Sequence, residues 1–355
     1  MNCLIKELSL KNFRNHKNIN INLNPGINAV VGANASGKTS ILEAISMLYP
    51  GRGIKNSTAA NITMLNSKND YWYTEGRFLQ RTVDCTIATE YHNKKKLLLI
   101  NGEKSSSSKL LKNIQIIWLS PAISHKIIMS MSSRRQFIDR ITYLFCSNHA
   151  KLISKYEKAV QERNKLLLNK NYNKNWMCAI EKNLAETAIN VMFNRTNAIN
   201  LLNKTATDKT HNATPVQIEI ISNTTHAIND EPSEAVSKML KSFDISRNKD
   251  METCRTNIGP HRCEVRINNP INKTPIDNAS SGEQKLMLTS IMLMQVLAKK
   301  LEHNTTPIIL LDDITTQLDS NNIKILLNAL SKINCQSIIS DTMQNKNYTT
   351  IISLK

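Results

Sequence analysis

Residues 32–40 read GANASGKTS, a glycine, four residues, then Gly-Lys-Thr. The apolar run INAVV leads in, and SILEAISML leads out with Ile41, Leu42, Ile45 and Leu48 on one helical face. Strand, glycine-rich turn and helix in that order form the Walker A pattern. Gly32 and Gly37 let the chain turn tightly enough for the amides of Ala33, Asn34, Ala35 and Ser36 to point inward around a phosphate. The following helix adds unbonded N–H groups and the positive end of its dipole. Lys38 is placed to reach β- and γ-phosphates, the Thr39 hydroxyl to ligate Mg²⁺, and Ser40 ends the pattern. A bare glycine turn without a ligand is the bland alternative, but it has no need of a strand and a helix in these places.

A Walker A loop needs a carboxylate at the end of a second buried strand. PIILLDDITTQLD supplies one: Ile308 to Leu311 are apolar, and Asp312 and Asp313 follow. Carboxylates at the end of an apolar strand are costly unless they meet a cation. Asp312 is expected to hold Mg²⁺, and Asp313 to act as the catalytic base or water-positioning group. Alone, the pair reads as a helix cap after a strand. Beside a Walker A loop the active-site reading wins.

The stretch NASSGEQKLM, residues 278–287, has two readings. It can be only a polar loop entering a capped helix. Its Ser hydroxyl, glycine and helix N-terminus also make an anion site, and Ser280 and Gly282 are its candidate residues.

Between these motifs the chain changes character. Both ends alternate strand and helix, as a parallel α/β sheet does. From about 130 to 203 it is helical, with one stripe of Leu152, Tyr156, Ala159 and Val160 and another of Leu184, Ala188, Val191, Met192, Ile199 and Leu202. The polar segment NKTATDKTHNAT closes this region. The reading is therefore an α/β head formed by residues 1–123 and 241–355, with a helical insertion over 124–240.

Composition narrows the partners. A net charge of +18 in 355 residues favours a polyanion, nucleic acid above all. Aromatic residues are only 5%, so backbone phosphate contact is expected rather than base stacking. Candidate contacts are Lys94 to Lys96, Arg134-Arg135, and Lys151, Lys155 and Lys158, the last three at the spacing of an ordinary solvated helix face. Seven scattered cysteines fit free thiols in a reducing compartment. Cys254, His261 and Cys263 lie close together but lack the spacing and second half of a zinc site. No apolar run approaches a membrane span, and the N-terminus lacks the apolar core of a signal peptide, so a cytoplasmic protein is expected.

Six segments together resemble the RecF family in the SMC-like branch of ABC ATPases: FRNH, GANASGKTS, the run from Ser120 to Asp139 containing RRQFID, NIGPHR, SSGEQK and LLDDITTQLD. The likeness covers nearly the whole chain. It implies an ABC-type P-loop head with a mixed sheet and an inserted helical lid or arm. It also implies an ATP-dependent homodimer that clamps DNA, at gaps or single/double-strand junctions, in recombinational repair and replication restart. Hydrolysis is expected to be slow, DNA-stimulated and switch-like, and a RecR-type recombination mediator is the implied protein partner. ATP is then sandwiched, with Ser280 and Gly282 facing the γ-phosphate of the partner subunit. Other SMC-like or ABC-type ATPases, or a DNA-binding scaffold with a degenerate nucleotide site, remain as alternatives. Departures from the family pattern are Ala279 for Leu, Ala122 for an acidic residue after Pro121, and Asp341-Thr342 with no switch histidine after QSIIS. Asp313 stands where transporters carry Glu, and Gln115 lies near the place of a metal-sensing glutamine but out of register.

Overall fold

The computed structural model describes residues 3–63, 71–80, 83–107, 109–110, 114–169, 172–206, 214–221, 231–313, 318–342 and 348–354. Positions 314–317 of LLDDITTQLD and 207–213 of the polar closing segment lie outside the described residues. The chain forms two compact units. The first holds residues 1–128, 204–216 and 269–355, the second residues 129–203 and 217–268.

The first unit is built on two sheets. One is antiparallel, in the order β2-β1-β4-β5-β6-β7. It comprises β1 (Cys3–Phe13), β2 (His16–Asn22), β4 (Trp72–Gln80), β5 (Val83–His92), β6 (Lys95–Ile100) and the two-residue β7 (Glu103–Lys104). The other is parallel throughout, in the order β13-β3-β12-β11-β8. It comprises β3 (Ile27–Val31), β8 (Ile116–Leu119), β11 (Ile308–Leu311), β12 (Ser337–Asp341) and β13 (Thr350–Ser353). Parallel and antiparallel strands are thus both present, as expected, but each kind has its own sheet. The Pro25-Gly26 turn carries the chain from one sheet to the other. Every residue of β3, β8, β11 and β12 is buried, which explains why these strands read as continuous apolar runs without alternation.

Helix α1 (Lys38–Met47) contacts β11 and β12 of the parallel sheet and β1 and β4 of the antiparallel one. It is therefore buried all round rather than on one face, with Glu43 and Ser46 enclosed beside Ile41, Leu42 and Ile45. Each of those three apolar side chains contributes about 1.5–3 kcal/mol by leaving water. Thr74 and Thr89 of the antiparallel sheet donate to the helix carbonyls of Ala44 and Met47 at 3.3 and 2.9 Å. Gly76 permits that approach, because a Cβ there would press on Leu48. Helices α7 (Ser281–His303) and α8 (Ser320–Ile333) pack on each other, α7 also against β8 and α8 against β3.

The second unit is mainly helical. It contains α3 (Met131–Phe145), α4 (His149–Leu167), most of α5 (Lys174–Thr205), α6 (Pro232–Thr253) and the antiparallel pair β9 (Gln217–Ile221) and β10 (Glu264–Asn268). Helix α2 (Pro121–Met129) precedes it. Tyr156 and Ala159 of one sequence stripe meet Leu184, Ala188 and Val191 of the other in its core, and α6 adds Ala235, Met239 and Phe243. Two buried ionic groups pin the helices. Arg163 joins Glu181 at 3.0 Å and Asp250 at 2.7 Å, and Arg195 grips Asp139 through two hydrogen bonds of 2.7 and 2.8 Å.

Candidate nucleotide site

The strand order of the parallel sheet creates the site. β12 lies between β3 and β11, so the C-terminal ends of these strands bring three segments side by side: the 32–40 loop, Ser340 and Asp312. This is the edge at which open parallel sheets present ligand sites. A cavity of about 690 Å³ opens there, lined by Asn34, Ala35, Gly37, Lys38, Thr39 and Ser40 together with Asp313 and Ser340.

The 32–40 loop is held in a form that suits an anion. Gly37 has φ 98° and Ala35 φ 66°, and a Cβ at Gly32 would collide with the Leu354 carbonyl. Among the described residues, helix α1 starts with no side-chain cap on its N-terminal amides, and its own first turn holds no acidic residue, so these N–H groups are left to meet an anion. Ser36 Oγ is buried and, among the described residues, has no hydrogen-bond partner. Lys38 Nζ folds over the loop and donates to the Gly32 and Ala33 carbonyls at 2.7 and 2.8 Å. An orphaned hydroxyl, exposed amides and a lysine on one loop fit a chain of phosphates.

Asp312 receives two hydrogen bonds on Oδ1, from Thr39 Oγ1 and from Ser340 Oγ, each 2.8 Å long. Burial pushes its carboxyl above the usual range, against the pull of these two donors. A buried carboxylate touching the Walker A hydroxyl fits a divalent cation. Asp313 lines the cavity itself, and its backbone N–H donates to Ser340 Oγ at 2.7 Å. Its φ of 54° is a left-handed conformation that Asp tolerates and most residues do not.

Several lining residues carried no assignment in the sequence. Arg14 of the FRNH turn reaches the buried Glu43 with hydrogen bonds of 2.9 and 2.7 Å. Ser57 bridges both, accepting from Arg14 at 2.7 Å and donating to Glu43 at 2.9 Å. Arg14, Asn15, Lys55, Asn61 and Thr63 all border the cavity. The FRNH turn itself was a visible signal. Lys55, Asn61 and Thr63 come from a loop with no motif.

Ser280 and Gly282 lie elsewhere. Ser280 caps α7 in a complete capping box: its N–H and Oγ donate to Glu283 Oε2 at 2.8 and 2.7 Å. Both residues are exposed, and among the described residues nothing stands within 4 Å of the Cβ position at Gly282. Neither lines the Lys38 cavity of its own chain. Ala279 and Ala122 are likewise outside that lining, and Asp341 accepts from the Tyr348 hydroxyl.

Other candidates are used structurally. His261 contacts the Tyr156 hydroxyl through Nδ1 and the Thr256 carbonyl through Nε2, and Cys263 is buried against Arg195. Arg134 is buried and donates to the Val265 carbonyl at 3.4 Å, and Arg135 donates to the Cys263 carbonyl at 2.9 Å. Lys151, Lys155 and Lys158 remain on an exposed face of α4.

A P-loop between two sheets, a strand-end carboxylate on its Thr, and a separate Ser-Gly helix start define a head of the ABC-type ATPase class. The family model for the RecF/RecN/SMC N-terminal domain matches residues 4–351, and the chain belongs to this family, on its RecF side. It is 30% identical to the DNA replication and repair protein RecF of Rickettsia typhi (strain ATCC VR-144 / Wilmington), over 96% of this chain and 95% of that one. The RecF protein of Rickettsia bellii (strain OSU 85-389) is 29% identical with the same coverage. Among solved structures, the ATP-bound recombination mediator protein RecF of the RecFOR pathway superposes with a TM-score of 0.85 at 25% identity, covering 97% of this chain and 93% of that one. The Smc head domain of Pyrococcus furiosus shares the fold, with a TM-score of 0.58 at 20% identity over 99% of this chain and 94% of its own. Among the described residues no helix is long and apolar enough to cross a membrane.

Proposed function

We propose that this chain is an ATP-dependent DNA-binding protein of replication and recombinational repair. ATP binds at the Lys38 loop, and two copies close on DNA with nucleotide between them. The reading is supported by relatives described as DNA replication and repair proteins and by the likeness to an ATP-bound RecF. The observation that carries it is a division within one chain. Lys38 and Thr39 line one cavity, with Asp312 bonded to Thr39, while Ser280 caps a helix, exposed and outside that lining.

In this reading Gly32, Ala33, Asn34, Ala35, Ser36 and Gly37 wrap the phosphates with backbone amides, and Lys38 exchanges its two loop carbonyls for phosphate oxygens. Thr39 and Asp312 hold Mg²⁺, which when bound neutralises phosphate charge. Asp313 orients and deprotonates the attacking water. Ser280 and Gly282 offer a hydroxyl and free amides to the partner's γ-phosphate. Hydrolysis is slow and DNA-stimulated, resetting the clamp, and the helical insertion serves as its arm. Gapped or junction DNA is the substrate, a RecR-type mediator a protein partner, and the cytoplasm the setting.

Light scattering tests this. Mg²⁺-ATP should convert monomer to dimer, and duplex DNA should raise the hydrolysis rate. A protein that stays monomeric with ATP and DNA together contradicts the reading.

A further inference from the structure

One exposed basic corner of the first unit is formed by two segments far apart in sequence. The β5–β6 hairpin turns at Asn93-Lys94, where His92 pairs with Lys95. Both turn residues have positive φ, 50° and 60°, as a type I′ turn requires. Glycine is the favoured second residue of such a turn, and a lysine there carries strain. Next along β6, Lys96 Nζ donates to the Gly51 carbonyl at 3.1 Å. That bond draws the hairpin against the loop following α1, where Arg52 is exposed. Neither residues 92–96 nor residues 50–57 contain Asp or Glu. The Tyr71 ring stands edge-on to His92 with centroids 6.0 Å apart, placing an aromatic pair beside the lysines.

The same loop leads to the nucleotide cavity. Ser57 N–H donates to the Arg52 carbonyl at 3.1 Å, and Ser57 Oγ is fixed between Arg14 and Glu43. Lys55 lines the cavity. One short loop therefore ends at the basic corner on one side and at the cavity wall on the other.

We propose that Arg52, Lys94 and Lys95, with Lys96 as the tether, bind the phosphate backbone of duplex DNA, and that loop 51–57 transmits occupancy to the nucleotide cavity. This rests on the DNA-binding reading above. Strain at Lys94 is then retained because a cation at the hairpin tip is useful there.

The test uses the full chain, a short fluorescent duplex and a salt series. Lys94→Gly relieves the turn, so its melting temperature should rise, while duplex affinity falls several-fold and the salt slope flattens by about one unit. Lys94→Glu with Lys95→Glu should lose binding and DNA-stimulated hydrolysis, keeping ATP affinity and basal turnover. Lys151→Glu with Lys155→Glu on α4 should bind duplex like the parent. Wild type that binds steeply with salt while both hairpin variants bind equally well overturns this corner and leaves the DNA-binding reading standing. Wild type that binds no duplex overturns both. Loss of binding in the α4 variant alone moves the surface to α4.

Discussion

Thr39 Oγ1 donates a 2.8 Å hydrogen bond to Asp312 Oδ1, joining residues 273 positions apart, one in the first turn of α1 and the other just past the end of β11. Ser340 of β12 donates to the same oxygen. The Asp312 carboxyl is thus enclosed among hydroxyls, with burial raising its pKa above the usual carboxylate range. Because the folded-state value exceeds the unfolded one, its contribution to stability is full below the unfolded pKa and is lost as pH rises through the folded pKa. At neutral pH the ionised group costs stability. Asp312→Asn keeps an acceptor for both hydroxyls and should raise nucleotide-free stability, because no buried charge then has to be desolvated. The same variant should lose the Mg²⁺-dependent part of its thermal shift with ATP. Scanning fluorimetry with and without Mg²⁺-ATP reads both effects.

Asp313→Asn should behave differently. Asn tolerates the left-handed backbone at this position, so the fold is kept. Nucleotide affinity and ATP-driven dimerisation should survive while turnover falls by about 10²–10⁴-fold, the usual worth of a general base. Equal loss of ATP affinity in Asp312→Asn and Asp313→Asn would show that the two carboxylates do not divide the work this way.

Arg14 is the close ionic partner of the fully buried Glu43, with Lys55 at 3.9 Å. Arg14→Ala should cost about 1–3 kcal/mol, because the buried carboxylate is left with only Ser57 and the more distant Lys55. Adding Glu43→Gln should restore much of that loss. Chemical denaturation of the two single variants and the double variant measures the coupling.

In the second unit, burial raises the Asp139 carboxyl, but the charge of Arg195 and hydrogen bonds from His149 and Arg195 outweigh it and hold the pKa below its ordinary value. A depressed folded-state pKa contributes stability above the unfolded pKa, and that stability is lost as pH falls through the folded value. Parent stability should drop on acidification below the ordinary carboxylate range. Asp139→Asn, weaker by about 3–5 kcal/mol at pH 7, should show a flatter fall. Urea midpoints across pH give the comparison.

The parts of this structure legible in the sequence are those set by local pattern. INAVV, the glycine loop and SILEAISML lie within one contiguous stretch, and each residue's part follows from its neighbours. Asp312 was legible because four buried apolar residues end at a carboxylate. The Tyr156 and Leu184 stripes were legible by helical period, and they meet in the core. What the sequence hid depends on strand order. Ser340 gains its place only because β12 pairs between β3 and β11. Lys55 and Asn61 reach the cavity from a loop without periodicity. Arg134 and Arg135 read as surface cations because charge alone cannot tell a solvated guanidinium from one bonded to the carbonyls of Val265 and Cys263.

Whether Ser280 completes the site of a second molecule is settled by mixing two inactive variants. Ser280 is exposed and acts in its own chain as a helix cap, so Ser280→Arg should cost that chain only the cap, about 1 kcal/mol. It should bind ATP but not dimerise, and Lys38→Met should not bind ATP while keeping its Ser280 intact. A mixed dimer holds one doubly damaged site and one whole site, with Lys38 from one chain and Ser280 from the other. Crosslinking across the interface with ATP, measured beside DNA-stimulated hydrolysis, should detect mixed dimers, and activity should return on mixing. Ser280→Arg that dimerises normally with ATP on its own would contradict the account.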